Sequence, residues 1–84
     1  MKRYFLYVLE CSDSSLYTGI TTDLDRRLSE HNTSNKKGSK YTRSRRPVEI
    51  VSAKIFKDRS EASKAESRFK KLSRKQKLEE LKEW

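Results

Sequence analysis

Tyr7, Tyr17, Arg27, His31 and Glu66 are the side chains of this chain whose types and spacing could act together. Two phenols, a guanidinium and an imidazole gathered at one spot suit phosphate chemistry. A planar cation matches phosphoryl oxygens, and phenol and imidazole can exchange protons. Each residue alone has an ordinary structural role. The tyrosines could be strand core rings with wet hydroxyls. Arg27 could pair with Glu30 or Glu66, and His31 could end its helix as a cation. Only the joint pattern points to a site.

The elements that must position these groups follow from the spacing. Apolar runs at residues 4–9 and 16–20, separated by the polar turn 12–15, predict an antiparallel hairpin bearing Tyr7 and Tyr17. The first run is apolar on both faces and belongs at the sheet centre. Gly19 interrupts the second, which predicts a bulge or a close backbone approach able to serve a ligand. Thr22 is the expected cap of a helix over residues 23–32. There Leu24 and Leu28 face the sheet, Arg27 and His31 follow each by three, and Arg26 points to water. A long basic loop, 33–47, leads past Pro47 to a third strand containing Val48, Ile50, Val51, Ile55 and Phe56. Asp58 with Glu61, and then Ser73 with Gln76, are capping-box signals for two further helices, to about Leu72 and to Trp84. On the first of these, Ala62, Ala65, Phe69 and Leu72 form the packed face, with Glu66 among them. A carboxylate there is costly unless paired or holding a metal. The expectation is an α+β, sandwich-like fold: a three-stranded sheet in the order strand-strand-helix-strand-helix-helix, as one domain over residues 1–84.

Eighty-four residues with a net charge of +9, from 21 Lys and Arg against 12 acids, leave a thin core under a polar skin. The cations are concentrated. Lys36, Lys37, Lys40, Arg43, Arg45 and Arg46 share residues 33–47 with Tyr41 and no acid. Such a field attracts polyanions and releases counterions on binding, and Tyr41 offers a stacking ring. These seven residues are the expected nucleic-acid interface. Cys11 is the lone cysteine, a small buried hydrophobe that excludes an internal disulfide and fits a cytoplasmic location. No Cys/His cluster suits zinc. The N-terminal stretch lacks the length and cleavage site of a signal peptide, and no stretch could span a membrane.

In order and spacing these residues resemble the GIY-YIG nuclease family, specifically its small stand-alone branch. Phe5, Leu6 and Tyr7 stand in place of the first tripeptide, and Tyr17, Thr18 and Gly19 in place of the second. Residues 23–32 are similar to the helix bearing the family's arginine and, four positions on, a histidine or tyrosine. Glu66 matches its metal-binding glutamate, and Lys40, Tyr41 and Thr42 with Arg45, Arg46 and Pro47 also resemble the branch. Phe5 replaces the eponymous glycine and Thr18 the middle isoleucine, neither a catalytic group. The resemblance implies hydrolysis of DNA phosphodiester bonds, in repair or recombination, with one divalent cation, Mg2+ or Mn2+. Glu66 would ligate the cation, which would stabilise the departing 3′ oxygen. Arg27 would neutralise phosphoryl charge, and Tyr7 would activate or position water with Tyr17 alongside. A phenol titrates near 10, so this needs a nearby cation to lower it. His31 either shares the proton handling or hydrogen-bonds Tyr7, and the base role stays open between them.

Two other functions fit the same residues. One is a binding module for DNA or RNA with little turnover, using the basic loop and the last helices. The other is an interaction protein whose exposed Trp84 end docks a partner supplying specificity.

Overall fold

The computed structural model describes residues 3–84. Met1 and Lys2, part of the stretch weighed above against a signal peptide, lie outside the described residues. The chain runs β1 (Tyr4–Glu10), β2 (Leu16–Thr21), α1 (Leu24–Thr33), α2 (Lys40–Arg43), β3 (Glu49–Phe56), α3 (Arg59–Lys70) and α4 (Arg74–Leu81). This is the expected α+β arrangement with one added element, α2.

Apolar residues on both faces put β1 in the middle of an antiparallel sheet ordered β2-β1-β3. Leu6, Tyr7, Val8 and Leu9 are all buried. Tyr7 and Leu9 share one face with Cys11 and Val48, and Leu24 and Leu28 of α1 pack there as their spacing requires. Leu6 and Val8 alternate to the other face. Helix α3 packs across all three strands and buries Ala62 and Phe69.

The caps explain the helix boundaries. Asp23, not Thr22, caps α1, its carboxylate accepting from the Arg26 N–H at 3.0 Å. A carboxylate also complements the positive helix end, which a threonine hydroxyl does not. Asp58 caps α3, and Ser73 with Gln76 forms the full capping box of α4. Helix α2 lies inside the segment expected to be loop. Ser39 caps it by accepting from the Thr42 N–H, and four residues are too few to carry an apolar stripe. Trp84 is half-buried rather than free. Its ring packs 5.1 Å from Phe69 and its Nε1 donates to Glu80.

Candidate active site

Strand pairing sets Tyr7 opposite Gly19 and Leu9 opposite Tyr17, so both phenols share the face covered by α1. Gly19 is not a bulge. It is a close approach, to the Tyr7 ring. A Cβ at this position would stand 2.5 Å from the Tyr7 hydroxyl. The missing side chain lets the phenol lie over β2 toward the sheet edge.

There Tyr7 Oη lies 2.9 Å from His31 Nε2 and accepts from Arg27 Nε at 3.3 Å. Arg27 also donates through Nη1 to Glu30 and to the Lys37 carbonyl. Thus Arg27 takes the Glu30 partner that sequence spacing allowed, yet still reaches the phenol. His31 is wholly buried, with Nδ1 2.9 Å from Thr42 Oγ1. It is not the exposed helix-end cation that its position permits. The Tyr17 ring meets the His31 ring edge-on at 5.1 Å and stacks at 5.8 Å on Tyr41, over which the Arg45 guanidinium sits.

Burial dominates the electrostatics. It pushes the Tyr7 phenol up to about 12, outweighing the downward pull of Arg27, so the expected lowering by the nearby cation does not prevail. Burial, with the Arg27 charge next, brings His31 down to about 4 and keeps the imidazole neutral. At neutral pH the pair is therefore a protonated phenol against an uncharged imidazole.

Four of the five residues are thus in direct contact. Glu66 is not among those contacts. Its side chain is 22% exposed and pairs with Lys70 at 3.3 Å, not with Arg27. Its charge nonetheless contributes to raising Tyr7, so it stands within electrostatic reach of the phenol. Among the described residues no three His, Cys, Asp or Glu side chains cluster as a ready-made metal cage. One accessible carboxylate suits a small hard cation that keeps most of its waters and takes its remaining oxygens from phosphate.

The basic segment divides. Lys36, Lys37 and Lys40 are exposed, and their ammonium groups form no ion pair among the described residues. Arg43 is exposed and donates to the Asn35 carbonyl. Arg45 binds Asp13 and the Tyr41 carbonyl. Arg46 donates to the carbonyls of His31 and Ser34 and to Asn35 Oδ1, satisfying the last turn of α1. Tyr41 is 37% exposed, its ring already engaged by Tyr17 and Arg45. Sequence reasoning missed Thr42 as a contact of the site. The Ser39 cap three residues earlier was the signal available.

The core of the site is thus a hairpin phenol hydrogen-bonded to an arginine and in contact with a histidine from the next helix. The GIY-YIG catalytic domain pattern fits residues 3–79, and the chain belongs to this nuclease family. It is 56% identical over 70 residues to the UPF0213 protein of Desulfotalea psychrophila, covering 83% of this chain and 63% of that one. The chain thus spans under two thirds of that relative's length. To the UPF0213 protein of Streptococcus agalactiae it is 51% identical over 79 residues, covering 94% and 88%. The solution NMR structure of a protein from E. faecalis matches at a TM-score of 0.69 and 52% identity, over 98% of this chain and 85% of that one. That of the Bacillus halodurans UPF0213 protein matches at 0.59 and 44%, over 92% and 80%. Members of the family are generally endonucleases that use divalent metals. No helix among the described residues is long and apolar enough to cross a membrane.

Proposed function

We propose that this protein is a cytoplasmic, divalent-cation-dependent endonuclease. Its 84 residues would act as one domain that hydrolyses DNA phosphodiester bonds, in repair or recombination. The observation that carries this reading is the contact of Tyr7 with both Arg27 and His31.

In this reading the Tyr7 hydroxyl donates its proton to His31 Nε2 and accepts from Arg27, which leaves one lone pair for water. As the water gives a proton to Tyr7, the phenol's own proton passes to His31. The imidazolium, disfavoured in the free site, forms against the negative charge of the bound phosphate and then returns its proton to solvent. A strongly basic phenolate need not form first, which accommodates a phenol pushed up to about 12. The hydroxide formed attacks phosphorus, and the 3′ oxygen departs and is protonated from solvent. Arg27 Nη2, without a partner among the described residues, neutralises a phosphoryl oxygen. Tyr17 braces His31 through the edge contact. Glu66 would hold Mg2+ or Mn2+, which supplies Lewis-acid stabilisation of the leaving oxygen. Lys36, Lys37, Lys40 and Arg43 attract the DNA backbone, while Tyr41, Arg45 and Arg46 shape the site.

The pairing of Glu66 with Lys70 favours a second reading, a DNA- or RNA-binding module without turnover. A screen over duplex, single-stranded and branched DNA and RNA, with Mg2+, Mn2+ or chelator, separates the two. The nuclease reading expects ion-dependent nicking of DNA. Binding without cleavage of any substrate would support the second.

A further inference from the structure

Helix α2 reaches the site through one side chain. Thr42 is fully buried, and its Oγ1 lies 2.9 Å from His31 Nδ1, 3.2 Å from the Ser39 carbonyl and 2.9 Å from Ser39 Oγ. A hydroxyl has one proton and two lone pairs, and a carbonyl can only accept. Donation from Thr42 to the Ser39 carbonyl leaves a lone pair of Oγ1 facing Nδ1. The ring proton then belongs on Nδ1, and Nε2 is bare to receive the Tyr7 O–H.

The opposite tautomer leaves an unmet donor. An Nε2–H would point at the Tyr7 oxygen, which already accepts from Arg27 Nε. The phenol proton would then have no acceptor among the described residues. Of the two tautomers, the one with the proton on Nδ1 is the one that meets every ring and phenol donor with a protein acceptor.

We propose that Thr42 is a positioning residue: it accepts the His31 Nδ1–H, fixes that tautomer and aims a bare Nε2 at Tyr7. The consequence for turnover rests on the hydrolytic reading above, whereas the tautomer itself does not.

His31 is the only histidine in the chain, so long-range proton–nitrogen correlation spectra of labelled protein read its two ring nitrogens without overlap. The expected wild-type pattern is a protonated Nδ1 and an unprotonated Nε2. Thr42→Val keeps the shape and removes the acceptor, so the proton should move to Nε2, and Thr42→Ser should restore it to Nδ1. In cleavage assays Thr42→Val should lower kcat by about 10- to 100-fold with KM unchanged, as for other partners that orient site histidines. A wild-type proton on Nε2, or a folded Thr42→Val protein that keeps Nδ1 protonated, overturns the proposal. If Thr42→Val does not fold, the wild-type and Thr42→Ser spectra still decide, because Nε2 protonation in either overturns it. The expected spectra without any DNA cleavage would sink the nuclease reading and leave the positioning role standing.

Discussion

Tyr7 Oη and His31 Nε2 are 2.9 Å apart, in rings that are 2% and 0% exposed, so a buried imidazole is held neutral against a buried phenol. Stability should record this. The folded-state value of His31 lies near 4, below its ordinary 6.5, so the unfolded chain binds a proton first as pH falls. Its contribution is fully present above 6.5 and is lost as pH falls toward 4, by up to about 1.4 kcal/mol per pH unit. Melting temperatures across that window should fall for the wild type and less steeply for His31→Gln. Parallel curves would contradict a neutral buried His31.

The phenol should give the mirror result at the alkaline end. With Tyr7 pushed up to about 12 from 10, the unfolded chain loses its proton first, so stability falls as pH rises from 10 toward 12. The ultraviolet phenolate signal of the wild type minus that of Tyr7→Phe should titrate near 12. A difference signal titrating below 10 would mean the site favours phenolate.

Gly19 makes room for that phenol. A Cβ there would meet Tyr7 Oη at 2.5 Å and Cζ at 2.7 Å, so Gly19→Ala should cost about 1–3 kcal/mol in denaturant unfolding. In a Tyr7→Leu background the same change should cost less, because the clash partner is gone. Equal costs in both backgrounds would place the strain elsewhere.

The basic segment should split by experiment as it does in contacts. Replacing Lys36, Lys37 and Lys40 with Ala should weaken duplex binding evenly across sequences and reduce the log–log salt slope by about 3. Arg46→Ala should instead destabilise the fold, by roughly 1–3 kcal/mol, since it takes the side-chain donor from the buried end of α1 at the His31 carbonyl, while the Ser34 carbonyl keeps the Gly38 N–H. Salt titrations and unfolding curves on the two variants check this. A slope unchanged in the triple variant would remove those lysines from the interface.

Particular residues show where sequence is legible. Tyr7 and Tyr17 come together because strand alternation is regular, and Arg27 and His31 because helical spacing is. Asp58, Ser73 and Gln76 announce their helices through chemistry local to the chain. Thr42 is different: it stands in a segment that reads as a basic loop, and only the fold turns it toward His31. Arg46 reads as one more surface cation, because sequence does not tell which helix carbonyls it will meet. Glu66 falls at the margin of its apolar stripe as spacing requires, but its pairing with Lys70 depends on rotamers that spacing does not specify.

The most direct measurement is single-turnover DNA cleavage with Mg2+ or Mn2+ at saturating protein, comparing the wild type with Glu66→Ala and Arg27→Ala. Ion-dependent cleavage should fall by about 100-fold or more in each variant, on the scale of losing a key charge-stabilising group, while DNA binding persists. Cleavage by both variants at the wild-type rate would contradict the account.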